Sequence, residues 1–147
     1  MADLLALEKW CNDLPDRIEQ AASDLAVEVV IRMATNLIQH TPVDVTTAAS
    51  NWIASINAPN MFEMPAIHPG THGSTAGASR AEAIAYVQRV VAMKDPGEPL
   101  WLSNIVPYMV FLTNHGTSQQ EPAGFFERGV LVGISYAKSA TLGIRPR

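Results

Sequence analysis

The sequence predicts a single α+β domain over residues 1–147, with a helical arm at 1–40 and an α+β core at 41–147 that carries a long loop at 58–78. Three observations lead there. Apolar residues recur at steps of three and four from Ala2 to His40, two short segments read as strands, and further helical patterns follow each of them. Few strands need helices to cover one face, so the expected architecture is a long N-terminal helix and one or two further helices on a small, mostly antiparallel sheet. At 48% hydrophobic and 16% charged residues, disorder is excluded, and the lone Cys11 excludes a disulfide scaffold.

The first element rests on Leu4, Leu7, Cys11, Leu14, Ile18 and Ala21, continued by Leu25, Val29, Met33 and Leu37, which form one stripe on a helix. Pro15 lacks an N–H, so a break is expected near Asn12-Asp13-Leu14, with Asp13 capping the second piece. The helix should stop near His40, because Thr41 precedes Pro42 and pre-proline sterics disfavour the α region. Ala48 to Asn57 alternates as a strand, with Trp52 anchored in the core. Pro, Gly, Ser, Thr and His accumulate without period from Ala58 to Ala78, which marks a loop. Ser79 reads as the N-cap of a helix over Arg80 to Met93, ended by Asp95-Pro96-Gly97. Leu100 to Val106 reads as the second strand, and Tyr108 to Leu112 is too short for its period to decide. A polar loop at Gly116 to Gly124 precedes a final helix at Phe125 to Ala140, despite Gly129 and Gly133, which cost about 1 kcal/mol each. Trp52, Trp101, Tyr108 and Phe111 read as core or sheet packing.

Charge and chemistry narrow the function classes. The net charge is −4 with only 10 Lys and Arg, which argues against a generic nucleic-acid binder. Seven acids against Lys9 and Arg17 give Met1 to Glu28 a local net of −5. This is either a solvated helix face or, with Asp13, Asp16, Glu19, Asp24 and Glu28, a surface that repels polyanions. No apolar run reaches the roughly 18 residues of a membrane span, and acid stands where a signal peptide carries base, so the chain is expected in a reducing cytoplasm. His68 and His72 lie in a Gly/Pro loop with no helix to aim both rings, so with His115, Glu63 and Asp95 they make only a weak zinc pattern. Cys11 sits on the apolar stripe and reads as an inert core thiol. No nucleophile elbow, phosphate loop or carboxylate pair appears, so no catalytic residue, metal ligand or cofactor is assigned.

Two segments carry more information together than apart. Thr41-Pro42-Val43-Asp44 is followed by Ala49-Ser50-Asn51-Trp52, and Asn104, Pro107 and Tyr108 are followed by Leu112, Gly116-Thr117-Ser118-Gln119-Gln120 and Pro122-Ala123-Gly124-Phe125. In this order, after a long N-terminal helix, they resemble the neck and tail-completion proteins of long-tailed bacteriophages. Specific matches cover residues 41–52 and 104–125. The sequence departs from the pattern at Val45-Thr46, where threonine-glycine is usual, at Met109, and at Thr113-Asn114-His115. Without glycine, the turn after Asp44 lacks easy access to positive φ. Asp44 is expected to bond backbone N–H groups two residues on.

The resemblance implies a structural virion protein with no enzymatic activity. Such proteins form a ring at the tail top, six-fold by resemblance, between the head-closure or connector protein and the tail terminator or tail-tube protein. DNA passes through without sequence-specific binding, and the chain would reside in the virion neck after assembly in the host cytoplasm. The loops 58–78 and 116–124, Glu121 included, are the candidate ring contacts, and Asp13, Asp16, Glu19, Asp24 and Glu28 are the candidate channel lining. The alternatives left open are a small metal-dependent enzyme using the His68/His72 loop and a generic protein–protein adaptor.

Overall fold

The computed structural model of the protein describes residues 2–117 and 119–144. It is α+β: helix α1 (Ala2–His40), a short α2 (Thr47–Ser50), strand β1 (Ile53–Ile56), α3 (Ala76–Val91), strand β2 (Leu100–Ser103), α4 (Met109–His115) and α5 (Phe125–Ser139). β1 and β2 form a two-stranded antiparallel sheet with Ile53 opposite Ser103 and Ile56 opposite Leu100. A hairpin of that size is marginal by itself. It is held by burial against α1 and α3, where Ala34, Leu37 and Ile38 meet Ala83, Val87 and Val91 around Trp52 and Phe125.

α1 runs unbroken through Pro15 for 39 residues, about 58 Å at the helical rise. The expected break at Asn12 to Leu14 does not occur. Pro15 therefore removes one backbone hydrogen bond within a continuous helix rather than ending it. The arm also carries two apolar faces. One, with Val27, Val30, Ala34 and Ile38, packs on the core. The other is the stripe read from the sequence, and it is divided. Its C-terminal members Met33 and Leu37 lie under α5, where an added Cβ on Gly133 or Gly129 would fall 2.4 Å from their side-chain atoms. Its N-terminal members Leu4, Leu7 and Ile18 are 67%, 53% and 44% exposed, and Cys11 is exposed rather than core.

α1 ends at His40 as the sequence requires, with the Thr41 N–H and hydroxyl both donating to Leu37 O. The expected strand from Ala48 shortens to Ile53–Ile56, because Thr46 turns the chain with φ 66° into the buried α2. α3 begins at Ala76, three residues before the expected cap, and Ser79 is a buried residue within it. Its hydroxyl donates to His68 O, as do those of Thr46 and Thr75, so three hydroxyls pin the long loop at one carbonyl. β2 ends at Ser103, and the undecided segment after Pro107 is helical. Trp52 is core at 3% exposure, whereas Trp101 and Tyr108 are a little under half exposed and Phe111 a little over half.

Candidate interface site

The two segments singled out in the sequence meet in space. Pro42 directs the chain away from the end of α1, and the Val43 backbone that follows lies outside any helix or strand. Gln120, reaching from the loop between α4 and α5, bonds it. The Val43 N–H donates to Gln120 Oε1 at 2.7 Å, and Gln120 Nε2 donates to Val43 O at 3.2 Å. The side-chain amide thus pairs with Val43 as a neighbouring strand would. Further along, Asn104 Nδ2 donates to Ala48 O at 2.8 Å while its Oδ1 accepts from Val106 N–H. Trp52 Nε1 donates to Thr41 Oγ1 at 2.7 Å, and its ring stacks on Phe126 at 6.2 Å.

The loop 116–124 is folded by its own residues. Gly116 has φ 64° and lies so close to the returning chain that a Cβ would fall 2.4 Å from Ala123 N, so glycine is required there. Thr117 Oγ1 accepts from the N–H groups of Gln120 and Glu121, and the Thr117 N–H donates to Glu121 O. Glu121 bonds His40 Nδ1 at 3.1 Å and the Arg128 guanidinium. Arg128 also donates to the Pro122 and Ala123 carbonyls. The polar composition of this loop thus has a structural reason in Thr117, Gln120 and Glu121. Gln119, Pro122 and Ala123 are exposed, and Ser118 lies outside the described residues. Burial pushes the Glu121 carboxyl up, but the His40 and Arg128 bonds outweigh it and hold the group below its ordinary value.

A cleft of about 280 Å³ runs between the two segments, lined by Val43, Asp44, Thr47, Tyr108, Leu112 and Gln120. Tyr108 forms one rim. Partial burial and the Glu63 carboxylate raise its hydroxyl above the ordinary tyrosine value, against an opposing bond from Thr47. Asp44 does not cap its own turn two residues on. Its Oδ1 accepts from the His72 N–H at 3.0 Å and its carbonyl from the Gly73 N–H at 2.9 Å, which ties the long loop to the same place.

The histidines separate. His68 Nε2 pairs with Glu82 at 2.8 Å, while His72 Nδ1 lies 3.8 Å from Asp44. His115 stacks on Phe111. Among the described residues no group of three or more His, Cys, Asp or Glu side chains converges as a metal site would. Asp13, Asp16, Glu19, Asp24 and Glu28 are all exposed. At 100° per residue they spread over the half of α1 opposite Leu4, Leu7, Cys11 and Ile18. Gln20 donates to Asp24, and Arg32 lies 3.8 Å from Glu28. No helix is long and apolar enough to cross a membrane among the described residues.

The sequence reading missed three things here: the Gln120–Val43 pairing, the His40–Glu121–Arg128 cluster and the His68 carbonyl hub. All three join residues more than six positions apart through side-chain-to-backbone or ionic bonds, for which no periodic signal exists. The spacing of His40 and Glu121, 81 positions apart, gave no hint of contact. Comparison with protein-family models, curated proteins and solved structures gives no significant match to this chain.

Proposed function

We propose that this protein is a structural component of the bacteriophage neck, where copies assemble into a ring that completes the tail and supports head–tail joining and DNA passage. One observation supports this reading above the others. The two segments that resemble the neck and tail-completion proteins, 41–52 and 104–125, are bonded into a single unit through Gln120–Val43 and Asn104–Ala48. The resembling residues thus form a place in the fold, as a shared architecture would require. The ring is six-fold by resemblance, with the head-closure or connector protein on one side and the tail terminator or tube protein on the other.

A closed ring needs unlike patches of neighbouring copies to meet. The loops 57–75 and 116–124 emerge from the same unit and offer such patches. Met61, Phe62 and Met64 are exposed on the first, which Asn51 holds through both the N–H and the carbonyl of Met64. The exposed arm acids suit a wall past which DNA slides, since they repel phosphate instead of releasing its counterions. The metal-enzyme alternative draws less support, because His68 and His72 engage different carboxylates.

The test is a deletion of the encoding gene in its phage, complemented by a tagged copy. The expected result is separate heads and tails without the protein, and label at the tail top by negative-stain imaging with it. Normal joined particles in its absence, or label elsewhere, would overturn the proposal.

A further inference from the structure

The N-terminal half of α1 leaves an apolar seam uncovered, and its spacing is that of a coiled coil. Leu4, Cys11, Ile18 and Leu25 recur every seven residues, and Leu7, Leu14 and Ala21 stand three after each of the first three. That is three consecutive heptads at a 3.5-residue period, about 33 Å of helix. The core-facing residues of the same helix, among them Val27, Ala34 and Ile38, lie on a different face. The seam meets the core only beyond its last heptad, where Leu37 of the same stripe is buried. Leu4, Leu7 and Ile18 are exposed by about half or more of their surface.

The kind of occupant is indicated by the helix itself. Farther along the same stripe, Met33 and Leu37 are covered by a helix, α5, whose Gly129 and Gly133 let the backbones approach. α5 ends at Ser139, and along the stripe Val29, Leu25, Ala21 and Leu14 are half-buried while Ile18, Cys11, Leu7 and Leu4 are exposed. A heptad seam needs another helix with knobs at the same period. The chain carries such a helix in each of its copies. The five acids Asp13, Asp16, Glu19, Asp24 and Glu28 lie on the opposite half of the arm, so seam-to-seam contact turns them outward.

We infer that residues 4–25 of α1 pair with the same segment of a second copy, forming a short coiled coil whose N-terminal part projects from the globular body. The contact goes beyond the neck-protein reading and does not depend on it. Cys11 occupies an inner position of this seam, where a β-branched residue packs better, which makes it a site for strengthening the contact as well as breaking it.

Sedimentation equilibrium on the purified full-length chain tests the pairing, at concentrations from about 1 µM to on the order of 100 µM. The wild type should exceed its 15.9 kDa monomer mass as concentration rises. The double variant L7D/I18D should remain monomeric, with near-ultraviolet circular dichroism of the core tryptophan unchanged because both side chains are exposed in the monomer. C11I should tighten association by about tenfold, corresponding to one well-packed inner position. A wild type that stays monomeric throughout, an L7D/I18D protein that associates like the wild type, or a C11I protein that associates no better would overturn the inference. None of these outcomes bears on where the protein sits in a virion, so failure here is separable from failure of the proposed function.

Discussion

At the scale of single residues, Thr46 shows most directly how local chemistry competes. A β-branched residue at φ 66° carries strain of about 1–2 kcal/mol, yet Thr46 is buried and its hydroxyl donates to His68 O. The hydrogen bond returns about 1 kcal/mol, and Thr75 and Ser79 keep the carbonyl satisfied without it. Thr46→Gly removes the strain along with the bond, whereas Thr46→Val keeps the strain and loses the bond. The glycine variant should therefore be the more stable of the two by about 1–2 kcal/mol in urea unfolding, although it deletes more atoms. Glu121 offers a pH-dependent counterpart. Its carboxyl is held below the ordinary value in the fold, so its stabilising contribution is present above about pH 4.5 and is lost as pH falls through the depressed value. A plot of Tm against pH for Glu121→Gln should be flatter than that of the wild type between about pH 5 and pH 3. Parallel curves would show that the His40 and Arg128 bonds do not favour the ionised form.

At the scale of elements, α5 owes its seat on α1 to two glycines that helix propensity alone would disfavour. Alanine at either position would gain about 1 kcal/mol of propensity. Against that, a Cβ at Gly129 meets Leu37 Cδ2 at 2.4 Å and Cγ at 2.6 Å, while one at Gly133 meets the Met33 side chain. Leu37 is fully buried and branched, and methionine is unbranched and adaptable. Gly129→Ala is thus expected to destabilise by about 1–3 kcal/mol, and Gly133→Ala by less, both measured by chemical denaturation. The sequence made α1, α3, α5, the two strands and the stop at His40 legible, because each is set by periodicity or by proline sterics, whereas α2 lies where a strand was expected and α4 was too short for its period to decide. From the sequence, Gly129 and Gly133 showed only their propensity cost, because the close approach to Leu37 and Met33 that requires them is a long-range contact. The uninterrupted course of α1 through Pro15 was not legible, since the local rule points to a break and Pro15 instead costs the helix one bond. The start of α3 was misread for a related reason. Ser79 has the side chain of a cap, but its hydroxyl is used on the His68 carbonyl in the interior of the fold.

For the whole molecule, the decisive asymmetry is between a body with a shared core and an arm without one. Core packing on α1 begins at Ser23 and Val27 and strengthens toward Ile38, whereas residues 3–9 are exposed throughout. An isolated helix of some 18 residues is marginal in water, and Pro15 removes a bond from it. The arm of a dilute monomer should therefore open with far less free energy than the body, and its amides should exchange early while those of Val30 to Ile38 exchange only with global unfolding. The paired seam changes that expectation. When two copies cover Leu4, Leu7 and Ile18, arm opening requires dissociation, and protection over residues 4–25 should rise with protein concentration while that of the body stays fixed. Hydrogen exchange read by mass spectrometry at two concentrations measures both at once. Arm protection that is high and independent of concentration would mean that α1 is rigid by itself, and the seam would then have no folding role for a partner to supply.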